Sequence, residues 1–125
     1  MRIEIEIKAL DQMRYPTVGD FFFKEDGTLK FEIADTGDIF LNKMVLIHEM
    51  IEQALTEKKG IKNTQIDEFD FEFEKNRKDG DTDEPGFAIG CPYMAEHSFA
   101  TGVEMGMCAL SGVSWDEYEK ILNEL

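Results

Sequence analysis

The sequence predicts an α+β domain in which a small antiparallel sheet packs against three or four helices. Three observations predict it. Apolar residues alternate with period two only in the first third of the chain. From residue 38 onward they recur at helical spacing instead, and Asp-Gly, Gly and Pro signals fall between the periodic stretches. With 125 residues, 42% of them hydrophobic and ten of them Phe, the chain has material for one core, and residues 1–125 read as a single domain.

The elements follow in order. Ile3, Ile5 and Ile7 alternate with Arg2, Glu4, Glu6 and Lys8, the pattern of a half-buried strand. After an irregular stretch through Pro16, three consecutive Phe lie between Asp20 and Lys24. Asp26-Gly27 then supplies a hairpin turn, and Leu29, Phe31 and Ile33 alternate on the return strand. Asp38 caps a long helix running to about Lys59, with Phe40, Met44, Ile47, Ile51 and Leu55 on one stripe and Gly60 as its stop. Thr64 with Asp67 marks a second helix start, with Ile66, Phe69 and Phe73 as its apolar side. Residues 78–92 are rich in Asp, Gly and Pro and read as a long loop, a length often tied to function. Pro92 suits the first turn of a helix reaching about Leu110 and ended by Gly112. Ser114 with Glu117 forms a capping box for a last helix carrying Trp115, Tyr118, Ile121 and Leu122. Met94, Met105 and Met107 read as core filling.

Composition narrows the function classes. The net charge of −14 argues against contacts to nucleic acid, which need basic patches. It reads as a solvated acidic surface, one that could also serve a basic protein partner. No run of about 18 apolar residues exists, so no membrane span is expected. Met1-Arg2-Ile3-Glu4-Ile5-Glu6 is not the start of a signal peptide, and the chain reads as cytoplasmic. Cys91 and Cys108 are too few for a disulfide framework and read as free thiols, Cys108 in the core.

The chemistry concentrates at two histidines. His48-Glu49-Met50-Ile51-Glu52 lies in the middle of the first long helix, where His48 and Glu52 share a face one turn apart. Leu41, Val45 and Leu55 continue that line, so two ionisable groups interrupt an aliphatic stripe and need partners there. A metal ion is one such partner, taking a neutral imidazole nitrogen and a carboxylate oxygen together. In the pattern H-E-x-x-H two His bind zinc and the Glu handles the proton of water; here His48 and Glu49 stand as in that pattern, and Glu52 replaces the second His. The second cluster is Glu96-His97 with Glu104 two turns on, about 10.5 Å along the axis, too far for both His97 and Glu104 to bind one ion directly. One is then a ligand and the other its support.

Two further signals are weaker. Asp79-Gly80-Asp81-Thr82-Asp83-Glu84 begins like a calcium loop, but Gly90 occupies the place of the bidentate carboxylate. Cys91 reads as a loop thiol, since a catalytic zinc needs only three protein ligands.

The expected arrangement sets the first long helix beside the 92–111 helix, so that His48, Glu52 and His97 hold a metal, Glu49 is the catalytic base, and Glu104 or Glu96 supports or replaces a ligand. Mixed nitrogen and carboxylate ligands suit zinc first, and iron or manganese where carboxylates dominate. A strand from Leu29 to Ala34 leading into a long helix with His48-Glu49, followed by a helix with a third ligand, resembles the zincin metallopeptidases. That resemblance implies a metal-dependent peptidase or hydrolase acting on a peptide or small amide. Leu46-Ile47-His48-Glu49-Met50-Ile51-Glu52, with Ile66-Asp67-Glu68-Phe69-Asp70, Glu84-Pro85-Gly86, Pro92-Tyr93, Glu96-His97, Ala100 and Trp115 to Glu119, also resembles a family of uncharacterised phage and prophage proteins over about residues 45–119. The competing expectation is a non-enzymatic acidic accessory protein, with the His/Glu cluster as a structural metal or hydrogen-bonded core.

Overall fold

The computed structural model describes residues 1–125. Three strands, β1 (Ile3–Lys8), β2 (Gly19–Phe23) and β3 (Leu29–Ala34), precede four helices, α1 (Ile39–Lys59), α2 (Asn63–Lys75), α3 (Met94–Ser111) and α4 (Trp115–Asn123). The fold is α+β, as the sequence predicts.

The sheet is mixed rather than wholly antiparallel. β2 and β3 form the expected hairpin, with Phe21 opposite Phe31, turning at Gly27 with φ of 87°. Asp26 Oδ1 accepts the Thr28 N–H at 3.0 Å and holds that turn. β1, however, pairs parallel to β3, with Ile5 opposite Phe31, giving the order β1-β3-β2. The hairpin leaves only one edge of β3 free, and β1 occupies it. The intervening residues 9–18 carry the chain across to the other edge before β2 begins. Alternation along β1 is the same in either direction, so it reveals the strand without its sense.

The helices cover β3 and β2 but not β1. Leu29, Phe31, Ile33 and Ala34 are buried, whereas Ile3, Ile5 and Ile7 remain between 41% and 50% exposed. Their alternation does mark one face of the sheet, but α1 packs across β3 and β2 and stops short of the edge.

Helix α1 starts where Asp38 Oδ1 accepts the N–H groups of Phe40 and Leu41, and it ends at Gly60 in the left-handed region. Its buried side differs from the predicted stripe. Leu41, Met44 and Val45 enter the core, but Phe40 and Leu55 face solvent, and the buried positions beyond Val45 are His48, Glu49, Glu52, Gln53 and Thr56. Apolar periodicity fails over this half because the buried face is polar. Helix α2 begins after Lys62, whose N–H is accepted by the Gln65 side chain, rather than at a Thr64 cap. On α3, Met94 and Met105 are exposed; Met107 packs against the core. Ser114 caps α4 through the Glu117 N–H as predicted.

Ile33, Leu41, Met44, Val45, Cys108 and Tyr118 form one core, and Phe21, Leu29, Phe31, Ile66 and Tyr93 a second. Leu46 packs against both. These two cores clamp α1 between the sheet and α3, which fixes the rotation of α1 and therefore the direction in which His48 and Glu52 project.

Candidate metal centre

Helices α1 and α3 lie side by side, and each directs ionisable groups at the other. His48 and Glu52 share a face of α1 because they are four residues apart, and His97 meets them from the first turns of α3. His48 Nε2 is 3.1 Å from Glu52 Oε2 and 3.1 Å from His97 Nδ1, and His97 Nδ1 is 2.9 Å from Glu52 Oε2. All three residues are buried. A tetrahedral zinc ion with bonds of about 2.0–2.1 Å sets neighbouring ligand atoms about 3.3 Å apart. The triangle matches three corners of that tetrahedron to within a few tenths of an ångström, so the donor set His48, Glu52, His97 fits the ion.

The far nitrogen of each imidazole faces a carboxylate. His48 Nδ1 is hydrogen-bonded to Glu104, whose second oxygen accepts the Tyr118 hydroxyl at 2.5 Å. His97 Nε2 faces Glu84 Oε1 at 3.4 Å and has no hydrogen-bond partner in good geometry. A carboxylate behind a ligand histidine selects its tautomer and orients the ring. The His97 ring is further held by Phe87, edge-on at 4.6 Å between centroids. Gly86 presses on the same ring so closely that a Cβ there would come within 2.3 Å of it.

Glu49 follows His48 and is only 9% exposed. Its carboxyl lies against Gly19, where a Cβ would approach Oε1 to 2.6 Å. No protein group donates a hydrogen bond to it, and burial together with the nearby Glu52 charge pushes its carboxyl well above the usual range. Glu52 moves the other way. Burial opposes its ionisation, but the hydrogen bonds from His48 and His97 prevail and lower it. Burial likewise pulls both histidines down, yet Glu104 and Glu52 raise His48 to about 11, and Glu52 and Glu84 raise His97 to about 9. Without an ion, protons therefore occupy the triangle at neutral pH.

Two expected supports resolve differently. Glu104 backs His48 across the helix pair, not His97 on its own helix, because two turns carry it along α3 past His97. Glu96 does not join the cluster at all: adjacent helical positions diverge by about 100°, and its carboxylate pairs instead with Lys59 at 3.1 Å. Cys91 stands outside the group, its thiol pushed up to about 11 by burial. The loop that begins like a calcium site is organised by Arg77, which donates to the carbonyls of Asp81 and Asp83.

Sequence reasoning missed Glu84, Tyr118, Gly19 and Gly86 as parts of the site. Pro85 beside Gly86 in a long acidic loop is the one local signal; the rest are tertiary contacts with no sequence spacing to betray them. His48, Glu49, Glu52 and His97 all line a cleft of about 810 Å³ whose walls come from residues 15–21, α1, α2, residues 81–88, α3 and α4. The triangle thus combines three atoms able to ligate a metal, a neighbouring acid and access from a cavity. No helix is long and apolar enough to cross a membrane. Comparison with protein-family models, curated proteins and solved structures finds no match, so the functional reading rests on this geometry.

Proposed function

We propose that this protein is a metal-dependent hydrolase of peptidase type, with zinc held by His48, Glu52 and His97 and with Glu49 as the general base. The observation that carries this reading is the triangle of His48 Nε2, Glu52 Oε2 and His97 Nδ1, with sides of 2.9–3.1 Å, on the wall of a cleft. Zinc bound there would supply Lewis acidity, activating water and polarising a carbonyl. Glu104 and Glu84 keep the two imidazoles turned with Nε2 and Nδ1, respectively, toward the ion. Glu49 is buried beside the ligands without a hydrogen-bond donor of its own; the positive charge of a bound zinc would favour its ionised form, which could take a proton from water and return it to a leaving amine. The substrate class this supports is a peptide or small amide. The run from β3 into a His-Glu helix, with a third candidate ligand on a later helix, is the order of elements on which the zincin likeness rests.

A second reading has one observation in its favour. The cluster already hydrogen-bonds within itself, through Glu52 to both histidines and through Glu104 to His48 and Tyr118. The same residues could then form the core, with or without a structural metal, of an acidic accessory protein of phage type. Two measurements separate the readings. Tag-free protein should carry about one equivalent of zinc, lost in His48→Ala/His97→Ala. Glu49→Gln should keep that zinc and abolish hydrolysis. Absence of metal after dialysis against zinc would eliminate the hydrolase.

A further inference from the structure

Asp70, on α2, lines the same cleft and is 5% exposed. The Tyr93 hydroxyl donates to its Oδ1 at 2.5 Å and the Tyr15 hydroxyl to its Oδ2 at 3.2 Å. Both donors are neutral, and no lysine or arginine pairs with it. Other carboxylates of the cleft are compensated: Asp20 by Arg14, Glu74 by Arg77, Glu52 and Glu104 by the histidines. Two tyrosines could be held as well by an asparagine, so the packing of Asp70 does not call for its charge.

The surroundings point to where a countercharge enters. Ten acidic side chains line the cleft against one arginine, Arg77, no lysine, and the two histidines already paired with Glu52 and Glu104, whereas the whole chain has 27 Asp and Glu against 13 Lys and Arg. Arg77 is already engaged by Glu74 and by the carbonyls of Asp81 and Asp83. Glu49, nine-tenths buried in this cleft, receives no hydrogen bond from any protein group, which marks the cavity as one completed by a ligand. Tyr15 and Phe73 line the cavity with Asp70 and offer apolar surface to an aliphatic stem. Tyr93 connects the two regions: its hydroxyl rests on Asp70, and its ring lies edge-on to His97 with centroids 6.1 Å apart. One aromatic side chain therefore separates Asp70 from a ligand of the metal triangle.

We propose that Asp70 is a specificity-determining residue, receiving the ammonium or guanidinium of a lysine or arginine side chain next to the bond that is cut. The proposal rests on the peptide-hydrolase reading but concerns recognition, which is measured without turnover. A buried carboxylate discriminates strongly because the uncharged isostere leaves it without its counterion.

The test uses two fluorescent hexapeptides identical except for one lysine or norleucine. Their dissociation constants are measured by anisotropy against wild-type protein in chelator and against zinc-loaded Glu49→Gln. The lysine peptide should bind at least about tenfold more tightly. In Asp70→Asn the ratio should fall to within about twofold. In Glu25→Gln/Glu68→Gln, which removes two exposed charges outside the cleft, it should persist. Should Asp70→Asn fail to fold, Asp70→Glu replaces it: the carboxylate then reaches one methylene further, and preference should shift from lysine toward ornithine. Equal affinities in wild type, no binding of either peptide at millimolar concentration, or an unchanged preference in the Asp70 variants would overturn the proposal. Intact zinc binding without a lysine preference removes this proposal alone. A lysine preference in a protein that takes up no zinc removes the hydrolase alone.

Discussion

Replacing Asp70 by asparagine should flatten part of the pH dependence of stability. Burial raises the Asp70 carboxyl from 3.8 to about 7, against the hydrogen bonds from Tyr93 and Tyr15 that favour its ionised form. The sign follows from proton counting. Between these two values the folded protein keeps a proton that the unfolded chain has released, so stability falls as pH rises. The contribution is fully present below 3.8 and lost as pH passes through 7. A rise of about 3 units at 1.36 kcal/mol each is worth about 4 kcal/mol in all. Solubility is lowest near the isoelectric point of 4.4, so the accessible window is pH 5 to 8.5. Over that window the linkage integral leaves about 3 kcal/mol. Asparagine keeps the shape, can still accept from Tyr93, and does not titrate. Urea unfolding of both proteins in chelator across this range gives the difference directly. Wild type should lose about 3 kcal/mol relative to Asp70→Asn between pH 5 and 8.5. Asp20 and Glu49 are also raised by burial, but they titrate in both proteins and cancel. A difference that stays constant with pH would mean Asp70 is ionised throughout, and the argument for a buried carboxylate without a countercharge would fail.

Three further outcomes are expected. Zinc affinity, measured by competition with a chromophoric chelator, should climb between pH 6 and 9 by roughly ten- to a hundredfold per unit, because His48 and His97 hold protons there that the ion must displace; a flat profile would exclude these histidines as ligands. Glu104→Ala should weaken zinc binding by about 10–100-fold through the freed His48 ring, with Tyr118→Phe smaller in the same direction; equal affinity in Glu104→Ala would show that His48 needs no support. Gly19→Ala must displace the Glu49 carboxyl, since its Cβ would stand 2.6 Å from Oε1; hydrolysis should drop at least about tenfold with zinc content unchanged, and full activity would remove Glu49 as the base.

The sequence shows the elements well and their assembly poorly, for identifiable reasons. Caps and stops are local: Asp38, Gly60, Gly112 and Ser114 each act within a few residues, and each ends or begins a helix where the sequence indicates. The direction of β1 is decided by which edge of β3 is free, a long-range question that alternation does not encode. The wrong stripe on α1 has a different origin. Half of its buried face consists of His48, Glu49, Glu52, Gln53 and Thr56, so reading hydrophobicity alone selects Phe40 and Leu55, which are exposed. The position at which the apolar pattern breaks is the position of the candidate site, as expected where local rules yield to function. His48 and Glu52 were visible because i and i+4 share a face. His97 joins them because two helices pack, and Glu84 because a loop folds over its ring, and neither follows from spacing.

Charge balance gives the cluster its character. In the metal-free protein the surrounding carboxylates hold protons on His48 and His97, while burial favours the neutral form of Glu49. A divalent ion held by His48 and His97 would bring two positive charges and displace one proton from each imidazole, leaving the net charge of the buried group unchanged. A site that required metal to offset unpaired buried carboxylates would unfold on chelation, as small structural zinc domains do. Here the desolvation cost is met in either state, and the two cores that hold α1 against α3 contain none of the ligands. An ion held by these residues would then be able to exchange through the cleft without taking the scaffold apart. A structural site would couple metal loss to unfolding, whereas the proposed open site would not, so stability in chelator separates the two readings.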